Sequence, residues 1–525
     1  MNKWLIFLGL LLVSLGLDSA SAETIVDSAG NGDYNTIEEA LQFAVDGDTI
    51  SVWGGNYSGH FSIDVDNIEI IGNGSKTAIQ GNDTGVNNIV INADGVKISD
   101  LTISGGDWAI YVEDSLNSHL LRNNITSNAR GICLYGSASY NLIEENIIVD
   151  NTHNGIFLKS PDPSNYTLHS NEIKNNMISQ TNYGIYLEGT TNTEVSDNVI
   201  RDFGLYGIRS ISAVNDILDN NTITNGSYGI FATNSYSLTI SKNTIFSIDN
   251  YGIWASGGQL ATDHHLDMGI TSGMDSIWLG KLLIDDNEIH SCSAGIKLSN
   301  SMNNRVLNNR LYNHTFYGLE ITSSSDNITL TGNNISSNSE RGLYIFMSSF
   351  IKISSNDFID NNYGIFIRSS SGNYIHENLL SKNNIEIYLN NVSYYNLITM
   401  NNISSNIDYG IFSDIYVNAT ANYWGSSTGP YHEEKNPSGL GDKISDNVDF
   451  MDVDEEEPNR IIESSSDPSF LEGKTALLVG TFALTNYVVS KWIMKGISKT
   501  VKPIDKIAKW AEEKRKEEKE KKKKE

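Results

Sequence analysis

Asn182-Tyr183-Gly184-Ile185-Tyr186-Leu187, followed by Asp197-Asn198-Val199-Ile200 and then Tyr206-Gly207-Ile208, is the stretch that decides the fold of this 525-residue chain. The phrase Asn-x-Tyr-Gly-Ile-x-Leu, then Asn-x-Ile, returns about every 22 to 24 residues. Its copies centre on Gly131-Ile132, Gly155-Ile156, Gly184-Ile185, Gly207-Ile208, Gly229-Ile230 and Gly252-Ile253. They continue at Gly295-Ile296, Gly318-Leu319, Gly342-Leu343, Gly364-Ile365 and Gly410-Ile411, with degenerate copies at Ala109-Ile110 and Glu386-Ile387. Each period holds short alternating runs such as Asn141-Leu142-Ile143, too short and too β-branched for helices. Leucine-rich repeats have a similar period but need Leu ladders and a helical segment, which are missing. The period therefore predicts an all-β chain: a right-handed parallel β-helix, a solenoid of about 14 coils.

In Gly-Ile-x-Leu, Ile and Leu are two apart and face the same way. One coil cannot bury that face alone, so neighbours stack and share a core of Ile132, Leu134, Ile156, Leu158, Ile185, Leu187, Ile365, Ile367 and Ile411. Gly before the inward Ile is read as allowing a tight bend without a Cβ clash. Asn suits the corners because its amide tolerates left-handed backbone, and Asn stacked on Asn can form amide ladders.

Residues 1–22 read as a signal peptide: Lys3, an apolar run from Trp4 to Leu17, then Ala20-Ser21-Ala22. Residues 23–84 form an N-terminal cap and the first coils, with a capping helix over Thr36 to Val45 protecting the open sheet edge. The repeats occupy 85–430 and an acidic, Ser-rich linker 431–474. Residues 475–494 are apolar and read as an anchor helix, transmembrane or interfacial. The Lys/Glu-rich tail 495–525 is the flank that the positive-inside rule places in the cytoplasm. The expected location is thus the cell surface, with the β-helix outside and the membrane as one partner. A formal charge of −28 excludes the basic footprint of a nucleic-acid binder. No cofactor is called for, although the acidity leaves room for a divalent cation such as calcium. Cys133 and Cys292 lie too many coils apart to pair. Sequons such as Asn56, Asn124, Asn313 and Asn402 would be glycosylation acceptors in an exported glycoprotein.

These residues resemble the NosD-type or CASH-type β-helix proteins of the pectin-lyase-like superfamily. The Tyr-Gly-Ile-x-Leu…Asn-x-Ile repeat carries the match, over about four fifths of the chain. The opening Gly32-Asp33-Tyr34-Asn35-Thr36-Ile37 to Asp46-Gly47-Asp48-Thr49-Ile50 and the closing Asn422-Tyr423-Trp424-Gly425 with Gly429-Pro430 support it. The resemblance is specific for fold and unspecific for activity, because it spans carbohydrate binders, hydrolases, lyases, epimerases and accessory proteins of a copper enzyme.

The residue between Ile and Leu points outward, and stacking aligns it in one column: Tyr111, Cys133, Phe157, Tyr186, Arg209, Phe231, Trp254, Lys297, Glu320, Tyr344, Phe366, Tyr388 and Phe412. Aromatic rings offer flat apolar area to sugar C–H faces, so a polysaccharide or surface glycan is the expected partner. The competing reading is that aromatics simply favour strands and stack on one another. Gly252 to Gly295 is about twice the repeat, and splitting it at Ser276-Ile277-Trp278-Leu279 would restore a coil and place Trp278 beside Trp254. The intervening residues include His264, His265 and Asp267, weak candidates for a metal site or, with Lys297 and Glu320, for acid–base chemistry. Adjacent histidines on an extended segment point opposite ways, and a tolerated loop insertion explains the segment as well. The pectate-lyase calcium cluster and an epimerase-like Asp-Pro-His-Asp string are both missing. Met268 and Met274 are a thin basis for copper handling. The leading expectation is a surface protein that binds glycan or serves envelope structure or adhesion. A polysaccharide-active enzyme near the Trp254–Trp278 coil, or a metal accessory protein, stands as the alternative.

Overall fold

The short alternating runs form three parallel β-sheets wound about one axis, in a computed structural model that describes residues 23–162, 167–257, 281–390, 392–451, 453–454 and 456. The chain divides into two units, Met1–Asn459 and Arg460–Glu525, and every described residue lies in the first. One coil illustrates the rest. Thr239–Ser241 belongs to sheet I, Thr244–Ile248 to sheet II and Tyr251–Ser256, which carries Gly-Ile-x-Leu, to sheet III. Sheet I has 18 strands and sheets II and III have 15 each. The result is a right-handed parallel β-solenoid of about 16 turns, slightly longer than the repeat count implied. The difference lies at the start, where the sheet III rungs Phe61–Ile63 and Ile89–Ile91 lack the Tyr-Gly-Ile phrase.

The predicted inward residues, Ile132 and Leu134 through to Ile411, are all fully buried, and each contributes roughly 1.5–3 kcal/mol relative to exposure. The glycine before the inward Ile does a different job from the one expected. A Cβ on Gly252 would sit 2.4 Å from Ile289 Cγ2 and 2.9 Å from the Gly295 carbonyl. What the column needs is close approach of one coil to the next, not a special bend, and these glycines are not among those with positive φ.

The two roles expected of Asn fall on separate residues. The Asn of Asn-x-Ile forms an unbroken buried ladder from Asn123 to Asn422. The left-handed corner is taken by the residue before it: Asp197 (φ 58°), Asn220 (φ 53°), Lys242 (φ 53°) and Asp286 (φ 55°). At the open end, helix α1 runs Ile37–Phe43, capped by Thr36 Oγ1 accepting the Glu39 N–H at 3.1 Å, and buries Ile37 and Ala40.

Two expectations change. The strands on either side of residues 258–280 pair with one another: Tyr251–Ser256 with Ala294–Ser299, Thr239–Ser241 with Leu283–Asp285, and Thr244–Ile248 with Glu288–His290. The extra residues are an insertion between consecutive coils, so Lys297 and not Trp278 follows Trp254 in the column. The described part of the expected linker also folds. Pro430–Tyr431 pairs with Gly441–Lys443 and Val417–Asn418 with Val448–Asp449, burying Trp424, Ile444, Val448 and Phe450. This acidic stretch closes the far end of the solenoid. The segments expected to be a signal peptide (1–22), an anchor helix (475–494) and a charged tail (495–525) lie outside the described residues, among which no helix is long and apolar enough to cross a membrane.

Candidate functional site

Sheet III aligns the outward residues in strict register from Tyr111 to Phe412, one per rung. Cys133 and Glu320 are buried; the others are half-buried. Beside this column runs a second, supplied by the Tyr of the repeat phrase: Tyr183 pairs with Tyr206 and Tyr206 with Tyr228, and Tyr251, Tyr317, Tyr363 and Tyr409 occupy the same position further on. Reading this Tyr as a repeat marker hid its second use, although its position three residues before the outward one was in plain view.

The rings are arranged differently along the rod. Towards the far end they cover one another: Phe366 and Tyr388 stack at 4.7 Å and 25°, Tyr388 and Phe412 at 5.3 Å and 4°. Here the stacking explanation suffices. In the middle consecutive outward rings tilt, with Phe157 and Tyr186 at 58° and Phe231 and Trp254 at 62°, while Phe231 stacks on Tyr206 at 24° and Tyr186 on Tyr183 at 26° in the second column. The Trp254 Nε1–H donates to Ser299 Oγ at 3.1 Å, which fixes the indole.

Charged groups interrupt the middle. Lys297 Nζ donates to Tyr251 Oη at 3.0 Å and lies 3.3 Å from Glu320 Oε2, to which Tyr251 Oη donates at 3.0 Å. Burial opposes the Lys297 charge, yet the Tyr251 hydrogen bond and Glu320 outweigh it and hold the ammonium above its ordinary range. Burial pushes the Tyr251 phenol up as well. Lys297 and Glu320 are thus brought together, with Tyr251 as a third member not foreseen, but the three satisfy one another and leave no free acid or base. Arg209 lies over three tyrosines, its guanidinium carbon 4.7 Å from the Tyr186 centroid, 5.4 Å from Tyr206 and 5.8 Å from Tyr183. Burial raises the Tyr186 phenol to about 12 although Arg209 pulls it the other way.

His264, His265, Asp267 and Trp278 lie outside the described residues. Among the described residues there is no group of three or more His, Cys, Asp or Glu placed to hold a metal. Cys133 and Cys292 are free and buried, and burial pushes the Cys292 thiol up to about 12, away from the thiolate a soft metal needs. His314 is buried and held neutral, its pKa near 3 through desolvation, with Nδ1 accepting the Cys292 N–H at 3.3 Å. The described donors do not fit a copper ion.

Fold and register define a parallel β-helix protein with an aromatic-lined sheet. The profile of the family described as periplasmic copper-binding protein (NosD) matches residues 41–176 and 269–435, more than half the chain, and the chain belongs to that family. A profile for a right-handed β-helix region matches 162–265. No curated protein matched the sequence. Similar solved structures include an alginate lyase from Paenibacillus sp. at 16% identity, covering 57% of this chain and 91% of that one with a TM-score of 0.35. Another is the A-module of the mannuronan C-5 epimerase AlgE4 of Azotobacter vinelandii, at 14% identity over 81% and 93% of the two chains and a TM-score of 0.36. A third is the catalytic unit of an α-1,3-glucanase from Streptomyces thermodiastaticus, at 14% identity over 83% and 70% with a TM-score of 0.42. At such scores these likenesses carry no argument about activity.

Proposed function

We propose that this protein is an exported β-helix, held at the cell membrane by its C-terminal segment, that binds a polysaccharide along sheet III without transforming it. The observation that supports it best is the register that sets Tyr186, Phe231 and Trp254 on successive or near-successive rungs with tilted rings. Sugar rings present apolar C–H faces at a rise close to the rung spacing of about 4.8 Å, so a glycan lying along the rod meets rings repeatedly. The absence of turnover is argued from the closed Lys297–Tyr251–Glu320 group. The test is a glycan screen with the full chain, with mass spectrometry of every hit. Binding without new products supports the reading. Shortened or unsaturated products would make it an enzyme, and no binding would leave a role in envelope structure or adhesion.

The family description favours copper handling as a second reading. Its candidate ligands His264, His265 and Asp267 stand in the insertion 258–280. Copper titration of the full chain, repeated with His264→Ala and His265→Ala together, decides it: stoichiometric binding lost in the double variant supports it, and unchanged binding removes it.

A further inference from the structure

We propose that the glycan taken by sheet III is acidic and that Arg209 receives its carboxylate, a proposal that rests on the glycan-binding reading above. In a chain of charge −28, a cation without a carboxylate beside it is conspicuous. The other cations of the sheet's middle are paired: Arg130 with Asp107, Lys159 with Glu188, Lys297 with Glu320 and Arg341 with Glu340. Among the described residues no carboxylate lies within 4.0 Å of Arg209. Arg368 shares this lack but stands exposed at the sheet's margin.

Its setting is built and specific. Three tyrosine rings hold the guanidinium, so its plane is fixed before a ligand arrives. Its Nε is buried without a hydrogen-bond partner. A guanidinium stacked on rings has given up part of its hydration, and neutral hydroxyls would leave its charge uncompensated. A carboxylate meeting the Nη pair forms charge-assisted, bidentate bonds, the geometry for which Arg is suited and Lys is not. The competing carboxylates are accounted for. Glu188 is held by Lys159 at 3.2 Å. Glu320 lies four rungs away in register, about 19 Å at the strand spacing and beyond a Debye length of about 8 Å. Tyr186 and Phe231, on the rungs either side of Arg209, supply the apolar surface for the sugar ring that carries the acid.

The experiment compares full-length wild type, Arg209→Gln and Arg209→Lys for binding to polygalacturonate, to the same polymer with its carboxyls reduced to alcohols, and to dextran sulfate. Thermal melting checks that each variant is folded. The expected result is at least tenfold tighter binding of the polyuronate than of its reduced form. That preference should weaken with salt, be lost in Arg209→Gln and be only partly kept in Arg209→Lys, which retains the charge without the fork. Equal binding of the acidic and reduced polymers, with both bound, overturns the proposal and leaves the glycan-binding reading standing. A preference that survives Arg209→Gln overturns the assignment to Arg209, and tighter binding of dextran sulfate overturns the choice of carboxylate. Failure of all three polymers to bind overturns the proposal, while the glycan screen decides the reading beneath it.

Discussion

Replacing Asn221 by Ala should cost more than replacing its neighbour Asn220, though both are asparagines in one corner of one coil. Asn221 Oδ1 accepts the Asn198 backbone N–H and side-chain Nδ2, each at 3.0 Å. Its own Nδ2 donates to the Val195 carbonyl at 2.8 Å, the Asp219 carbonyl at 3.1 Å and Asn243 Oδ1 at 3.0 Å. The residue is fully buried. Asn221→Ala orphans the Asn198 N–H, a cost of about 1–3 kcal/mol, and strips a bond from two carbonyls, so the sum is about 2–4 kcal/mol. Asn220 is exposed with φ 53°, and Ala there brings left-handed strain of about 1–2 kcal/mol and loses one solvent-exposed bond, from Asn220 Nδ2 to Asp197 Oδ1, of small net worth. Urea unfolding measures the difference, and hydrogen exchange localises it, because coils stabilise chiefly their neighbours. Asn221→Ala should lower the midpoint clearly more than Asn220→Ala and expose the Asn198 amide. Equal midpoints, or an Asn198 amide as protected as in the wild type, would refute the view that the ladder ties coil to coil.

Two further outcomes follow from burial. Asp442 takes the end of a second amide ladder, accepting Asn406 Nδ2 at 2.6 Å, and burial raises its pKa to about 6 despite that bond. A raised carboxyl favours the protonated folded state, so its contribution is fully present below pH 3.8 and is lost as pH rises through 6. Asp442→Asn, which can accept the same bonds, should flatten that slope and stabilise the protein at pH 8 by up to about 3 kcal/mol, the worth of two pKa units; thermal melts from pH 4 to 8 check it, and an unchanged slope would count against it. Cys133 and Cys292, buried and with thiols raised by desolvation, should resist alkylation in the native protein and both react after denaturation; mass spectrometry of iodoacetamide-treated protein reads the result.

Much of this was legible from the chain because a β-solenoid repeats its physics. Ile185 and Leu187 two apart dictate an inward face, and the same pair recurring fixes the register that aligns Tyr186 with Arg209 and Phe231. The amide ladder was legible for the same reason, although pattern alone merged Asn198, which is buried, with Asp197, which turns the corner. Non-periodic packing was not legible. Trp424, Ile444, Val448 and Phe450 close the end from a stretch whose acidity suggested a linker, because their contacts depend on where the chain returns and not on spacing. The doubled interval between Gly252 and Gly295 suggested a lost coil, while pairing of Trp254 with Lys297 shows an insertion. At the site, the column was foreseen apart from Trp278, whose expected place beside Trp254 is taken by Lys297, but side-chain chemistry across rungs was not. Neither the tyrosine cradle of Arg209 nor the closing of Lys297 and Glu320 by Tyr251 follows from residues 46 and 69 positions apart.

The most direct measurement is the affinity of the full chain for its best polysaccharide from the screen, compared between wild type and Phe231→Ala with Trp254→Ala. The predicted result is a loss of at least tenfold, with the melting temperature little changed because these rings are half-buried and outside the aliphatic core. Undiminished affinity in a folded double variant would contradict the claim that sheet III is the glycan-binding face.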